Sequence, residues 1–130
     1  MTHGSHQAFR GTGGNDHAAA VVRGADRRPA VRSGIPGFDE NNKLPDDFDA
    51  QFGFVVRNIK RVLDEAGATF RDLVKVNVLL TRASDVAPMN ALYASAFGPA
   101  PYPARTTCVV QALPNPKMLI EIECVASLAK

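Results

Sequence analysis

The chain has 130 residues, of which 45% are hydrophobic and 22% charged, and its formal net charge is +2. These values indicate one globular domain and exclude proteins that bind nucleic acid through a large excess of positive charge. No apolar run approaches the roughly 20 residues that a membrane helix needs. Two cysteines without metal-ligand spacing predict a reducing, cytoplasmic location and two free thiols.

The start of the chain is polar and lacks the apolar segment of a secretory signal. We predict a flexible polar leader over residues 1–17 and a single domain over residues 18–130. All three histidines lie in this leader: His3, His6 and His17. We predict no metal site from them. Two short strands are predicted over residues 18–23 and 29–33, and turn formers predict a loop over residues 36–45.

The first long element is a helix predicted over residues 46–67. Asp46 is its predicted N-cap, and Gly67 is a natural C-terminal stop. Its apolar side chains recur at helical spacing and predict one buried face. They are Phe48, Phe52, Val55, Ile59, Val62, Leu63 and Ala66.

A strand and a second helix follow. Residues 72–81 alternate and predict a strand with one apolar face, formed by Val74, Val76, Val78 and Leu80. Residues 84–98 predict a helix that begins near Ser84 or Asp85 and ends at Gly98, with Pro88 tolerated in its first turn. Its apolar stripe is Met89, Leu92, Tyr93, Ala96 and Phe97.

The last two predicted strands cover residues 105–111 and 118–125. The short link "ALPNPK" between them predicts an antiparallel hairpin. The predicted element order is therefore β-β-α-β-α-β-β. Two amphipathic helices need one apolar sheet face to cover, which predicts an α+β fold with both helices on the same face.

Arg105 begins one of these strands, among β-branched residues and with no acid within fifteen residues in the sequence. A buried, unpaired charge is too costly to keep, so Arg105 reaches water, pairs with a distant acid or holds an anion. Strand alternation predicts a core face of Cys108, Val110, Ile120, Ile122 and Cys124. It predicts a second, polar face of Arg105, Thr107, Gln111, Glu121 and Glu123. That face is either a solvated surface with an ion pair or a carboxylate-binding site.

The segments "SGIPGFDENNKLPDDFDAQ", "NIKRVLDEAGATFRDLVKVNVLLT", "MNALYASAF", "PARTTCVVQALP" and "LIEIECVA" resemble the RidA/YjgF/UK114 family, formerly labelled endoribonuclease L-PSP. The resemblance covers residues 33–126 in order, and "PAR" followed by "IEIE" is its most specific motif. It implies a chorismate-mutase-like protomer and a homotrimer with active sites between subunits. It also implies hydrolysis of 2-aminoacrylate or 2-iminobutanoate to 2-keto acids and ammonia, without a metal or organic cofactor.

The same resemblance implies roles for individual residues. Arg105 matches the arginine that binds the substrate carboxylate, and Glu121 matches the glutamate that positions or activates the hydrolytic water. Four further positions match pocket residues of the family: Ser33, Gly34, Asn90 and Thr107. The chain departs from the family in its first strands, where "HAAAVVRG" has no Gly-Pro-Tyr segment.

Three alternatives stay open on the sequence. The first is a pathway-specific deaminase of a larger enamine such as 2-aminomuconate, which "RTTCVVQALPNPKMLIEI" also resembles. The second is a non-catalytic trimer that uses Arg105 only to hold a carboxylate metabolite. The third is a ribonuclease, suggested by a basic cluster of Arg23, Arg27, Arg28 and Arg32. That cluster has no interleaved aromatic side chains on which single-stranded bases would stack, so it favours a solvated loop.

Overall fold

The structure, a computed structural model, describes residues 6–9, 19–22 and 30–128, with side chains from residue 34 onward. These described residues form six strands and two α-helices. The strands are β1 His6–Phe9, β2 Ala19–Val22, β3 Ala30–Pro36, β4 Leu73–Leu80, β5 Ala104–Val109 and β6 Ile120–Ser127. The helices are α1 Phe48–Ala66 and α2 Val86–Phe97. All strands form one sheet in the order β1-β2-β3-β6-β4-β5, so the predicted α+β class is confirmed.

The N-terminal strands differ from the prediction in number and length. The structure has a strand, β1, inside the segment predicted as leader, where it pairs antiparallel with β2. Strand β3 continues to Pro36, beyond the predicted end at residue 33, because it pairs along its whole length with β6. The predicted domain boundary at residue 18 stays a prediction. The predicted basic cluster lies largely outside the described residues.

Helix α1 forms where its apolar periodicity predicts it. Asp47 is the N-cap, since its side chain accepts a hydrogen bond of 3.0 Å from the Ala50 amide; the prediction of Asp46 was wrong by one residue. Gly67 ends the helix with a φ of 71°, a left-handed conformation that glycine adopts without steric cost. The buried face packs on the sheet and contains Phe48, Phe52, Val55, Ile59 and Leu63.

Strand β4 lies inside the sheet, between β6 and β5. Val76, Val78 and Leu80 are fully buried beneath the helices, as their alternation predicts. Val74 was predicted on the same face but is 50% exposed. The pairing of β4 with β6 shifts register between Leu73 and Lys75, and this irregularity turns Val74 outward.

The predicted hairpin between the last two strands is wrong. Strand β5 pairs with β4 in parallel, and β6 pairs with β4 and β3 in antiparallel, so β4 separates β5 from β6. Strand β4 is apolar and therefore occupies the internal position between β5 and β6. The segment 110–119, which joins β5 to β6, is long enough to cross the end of β4. Hydrogen bonds hold this crossing: the Val110 amide donates to Leu80 O at 2.7 Å, and the Thr81 amide donates to Leu119 O at 3.2 Å.

Gln51 joins this crossing segment to α1. Within residues 34–128 it is the only buried glutamine, at 1% exposure, and both polar atoms of its side chain form hydrogen bonds. Its Nε2 donates to Pro45 O at 2.7 Å and to Lys117 O at 2.9 Å, and its Oε1 accepts from the Leu119 amide at 2.8 Å. One side chain therefore satisfies backbone groups of two different loops.

Candidate functional site

Glu121 lies on the sheet face that the helices do not cover. Its neighbours Ile120 and Ile122 are fully buried under the helices, and alternation turns Glu121 to the opposite side. In the sheet it is flanked by Leu79 of β4 and Pro36 of β3. The prediction that Glu121 and Glu123 share this outer face is confirmed.

Gly34 makes room for the Glu121 carboxylate. A Cβ added to Gly34 would lie 2.7 Å from Glu121 Oε1, which is shorter than a van der Waals contact between carbon and oxygen. Only glycine leaves this space, because every other residue carries a Cβ. Gly34 and Glu121 are therefore in contact across strands β3 and β6, which brings two of the predicted site residues together.

Arg105 lies on the other face of the sheet, which corrects the predicted shared face. Its register partner in β4 is Val76, and Thr107 is opposite Val78, so both side chains point toward the helices. Cys108 was predicted in the core but is exposed, since it is opposite Leu79 on the outer side. The prediction failed because β5 is an edge strand, where apolar side chains do not mark the buried face.

The Arg105 side chain contacts two residues of α2. Its Cζ lies 4.5 Å from the centroid of the Tyr93 ring, a cation–π arrangement, and its Nη1 donates to Met89 Sδ at 3.6 Å. Met89 and Tyr93 are one helical turn apart, so they face the same way. Within residues 34–128, Arg105 has no carboxylate partner.

Two buried hydroxyl groups lie on the same side of the sheet as Arg105. Neither Tyr93 Oη nor Thr107 Oγ1 has a hydrogen-bond partner among the described residues. Burial raises the pKa of Tyr93, while the positive charge of Arg105 opposes that increase. The Tyr93 hydroxyl is therefore protonated at neutral pH, so it can donate a hydrogen bond, as the alcohol of Thr107 can. Buried hydroxyl groups without a partner are rare in folded proteins.

The last two predicted site residues are described in less detail. Asn90 is exposed on α2, next to Met89. Ser33 is opposite Cys124 in the β3–β6 pairing, and its side chain lies outside the described part of the chain. The predicted residues thus form two groups on opposite faces of one protomer: Gly34 and Glu121 outside, Arg105 and Thr107 beside α2.

Sequence reasoning missed Met89 and Tyr93 as contacts of Arg105 and assigned both to the helix core. They are indeed buried, at 0% and 5% exposure. A signal was available in the β4-α2-β5 order, because a helix that connects two parallel strands packs over them. That order places α2 beside β5 and therefore beside Arg105.

The remaining predictions concern thiols, metals and membranes. Both cysteines are free, as predicted, and burial raises the pKa of Cys124 to about 11. Among the described residues no group of three or more metal-ligating side chains is present. Neither described helix is long and apolar enough to span a membrane.

The chain is similar to proteins of one family. The family model described as Endoribonuclease L-PSP matches residues 17–128. A RutC family protein of Pyrococcus abyssi is 44% identical over 80 residues, which are 62% of this chain and 61% of that protein. The crystal structure of RidA from an Antarctic Psychrobacter bacterium has 36% identity and a TM-score of 0.77, covering 93% of this chain and 94% of that one.

A protein of Arabidopsis thaliana named Reactive Intermediate Deaminase A, chloroplastic, is 44% identical over 75 residues. The match covers 57% of this chain and 38% of the plant protein. This chain therefore spans less than two thirds of both the archaeal and the plant relative. Because the plant relative is named as chloroplastic, the cytoplasmic location predicted here stays a prediction.

Proposed function

We propose, since this chain belongs to the RidA/YjgF/UK114 family, that it hydrolyses small 2-imino acids and their enamine tautomers to 2-keto acids and ammonia. The substrate class is that of 2-aminoacrylate and 2-iminobutanoate. The observation that carries the proposal is the Arg105 guanidinium, which is held by uncharged side chains and has no acid beside it within residues 34–128.

In this proposal Arg105 binds the substrate carboxylate. A guanidinium presents a planar pair of N–H donors that matches the two oxygens of a carboxylate. Arg105 is exposed, and the Tyr93 ring and the Met89 sulfur hold it without neutralising its charge. The unpartnered hydroxyl of Thr107 is an additional donor on the same side of the sheet.

Glu121 has the proposed role of proton carrier. A water molecule adds to the electrophilic imine carbon, and Glu121 accepts its proton and returns a proton to the nitrogen. Glu121 then takes the proton of the carbinolamine hydroxyl and gives it to the nitrogen as the carbon–nitrogen bond breaks, which releases ammonia and leaves the keto acid. The reaction consumes one water and needs no electron donor or acceptor, which agrees with the predicted absence of a cofactor.

The complete site takes residues from two subunits in this proposal. Arg105 and Glu121 lie on opposite faces of one sheet, so one protomer does not bring them to the same substrate. The outer face of one protomer, with Glu121, would meet the β5 edge of a neighbour, with its Arg105. This arrangement supports the homotrimer with interfacial active sites that the family resemblance implies.

The test is keto-acid formation from 2-iminobutanoate that a threonine dehydratase generates in the assay, with semicarbazide as a competing trap. The parent protein is expected to accelerate hydrolysis, and Arg105→Ala and Glu121→Gln are expected to lose the acceleration. Arg82→Ala is the matched control, since it removes an arginine whose side chain donates to Asp85, the N-cap residue of α2. No acceleration by a folded parent trimer would contradict the proposal.

One observation favours a second candidate, a carboxylate-binding protein without turnover. The chain lacks the Gly-Pro-Tyr segment of the family while it keeps Arg105. For this candidate, Arg105→Ala would abolish binding of a 2-keto acid, and no ammonia release would depend on Glu121. Titration calorimetry with 2-oxobutanoate, run beside the hydrolysis assay, separates the two functions.

A further inference from the structure

We propose that Tyr93 is a positioning residue for Arg105: its ring fixes the orientation in which the guanidinium meets a carboxylate. The consequence for carboxylate binding rests on the proposed function. The orientation itself does not, because it is a property of the protein without substrate.

The Tyr93 ring is itself held by a second aromatic ring. Phe97 stacks on it with centroids 4.3 Å apart and planes inclined by 13°, and Phe70 contacts Phe97 edge-on at 5.4 Å. Tyr102 also stacks on Tyr93, with centroids 6.1 Å apart and planes inclined by 29°, and the Arg105 guanidinium lies over the same Tyr93 ring. Tyr93 is 5% exposed, and the ring therefore has little freedom to tilt.

Met89 limits the guanidinium in a second direction. It lies one turn before Tyr93 on α2, is fully buried, and accepts a hydrogen bond from Arg105 Nη1 at 3.6 Å. The ring restrains the plane of the guanidinium, and the sulfur restrains its rotation within that plane. An arginine side chain otherwise loses substantial rotamer freedom when it binds a ligand, and prior restraint removes part of that loss.

The Tyr93 hydroxyl indicates that this residue does more than fill space in the core. A phenylalanine would fill the same space and stack equally well, yet the buried Tyr93 Oη carries a polar group without a partner among the described residues. Such a group is a cost to the unliganded protein. We therefore expect two separable contributions: the ring orients Arg105, and the hydroxyl donates to a ligand that Arg105 holds.

The experiment measures the Arg105 side chain directly, by ¹⁵N relaxation of its Nε–Hε group in the full chain without ligand. In the parent, the Arg105 Nε–Hε group is expected to be rigid, and the Tyr93 ring is expected to change its chemical shift. The exposed Arg61 side chain is expected to be mobile. Tyr93→Phe is expected to keep Arg105 rigid, and Tyr93→Met, which has no ring, is expected to release it. Phe52→Leu is the matched control, since it alters a buried ring on α1.

Binding of 2-oxobutanoate gives the functional measurement. Tyr93→Met removes both the ring and the hydroxyl and is expected to raise the dissociation constant about tenfold: about fivefold for one newly mobile side chain and about twofold for the lost hydroxyl. Tyr93→Phe is expected to raise it less, about twofold, through the lost hydroxyl alone. Phe52→Leu is expected to lower the melting temperature and leave the constant unchanged.

An Arg105 side chain as mobile as Arg61 in the parent would overturn the proposal, and this result needs no variant to fold. An Arg105 that stays rigid in a folded Tyr93→Met protein would overturn it as well. Failure of the parent to bind 2-oxobutanoate would instead contradict the proposed function, while the relaxation data would still decide the role of Tyr93.

Discussion

Arg82 and Arg105 both interact with residues of helix α2 or its N-cap, and they do so in opposite ways. Arg82 lies before the helix and donates through Nε and Nη2 to the buried Asp85 carboxylate, at 2.8 and 3.0 Å, and this hydrogen bonding raises the pKa of Arg82. Arg105 lies over Tyr93 and donates to the Met89 sulfur, and within residues 34–128 it has no acid.

The difference separates a structural arginine from one that is available to a ligand. Arg82 and its acid are three residues apart, so each satisfies the other within the fold. Arg105 and Glu121 are kept on opposite faces of the sheet, so neither neutralises the other in one protomer. Uncharged neighbours can orient a guanidinium without neutralising its positive charge, and a carboxylate-binding site requires such a free charge.

The largest expected effect comes from exchanging each arginine for lysine. Arg105→Lys keeps the charge but loses the planar pair of donors, and we expect kcat/KM for 2-iminobutanoate to fall about 100-fold. For Arg82→Lys we expect kcat/KM to stay within about twofold of the parent, because Arg82 pairs with Asp85 and does not contact the substrate in the proposed function. Equal losses in the two variants would remove the distinction between the two arginines.

The next effect concerns the acid on the outer face. Gly34→Ala places a Cβ against Glu121 Oε1, and the end of the glutamate side chain must rotate away. Because only a side-chain terminus moves, we expect an unchanged melting temperature and a roughly tenfold lower kcat, part of the contribution typical of a general base. An unchanged kcat would show that the position of the carboxylate does not matter.

Asp85→Asn removes the acid from the structural pair and is expected to affect stability rather than activity. The side chain keeps its shape but loses its charge, and its amide nitrogen cannot accept a hydrogen bond, so one of the two hydrogen bonds from Arg82 is lost and the other weakens. We expect the melting temperature to fall by about 3–6 °C, with KM unchanged. A changed KM would mean that Arg82 and Asp85 take part in substrate binding.

The smallest effect is expected from Gly53→Ala, which is also the control for Gly34→Ala. Gly53 lies within α1, is exposed, and a Cβ added there would meet no atom within 4 Å. Alanine is the better helix former, so the free energy of unfolding should rise by about 0.5–1 kcal/mol in a urea titration. Loss of activity in this variant would mean that any added methyl group disturbs the protein.

The fold was predictable where apolar residues recur over a long segment and mark one face of a helix. Helix α1 carries its apolar stripe over five turns, and the left-handed Gly67 marks its end. The hairpin prediction failed because strand pairing is a long-range choice: the short link between β5 and β6 favoured direct pairing, whereas β4 competes successfully for the position between them. No local sequence pattern shows which strand will occupy the position between β5 and β6.

The sequence named candidate site residues but did not predict how they are arranged. The "PAR" and "IEIE" motifs pointed to Arg105 and Glu121 through the family resemblance. The face on which Arg105 lies depends on its register with Val76, and an exposed edge strand gives no apolar signal from which to infer it. The contact with Tyr93 joins residues of different elements, and in the sequence Tyr93 looks like any other buried helix residue.

Gln51 has a consequence for how the protein opens. Its single side chain holds Pro45 O before α1 together with Lys117 O and the Leu119 amide before β6. If one of these loops detaches, the buried Gln51 amide is left partly unsatisfied, which costs free energy and weakens its hold on the other loop. The two loops should therefore exchange their amide hydrogens as one cooperative unit, although more than sixty residues separate them in the chain.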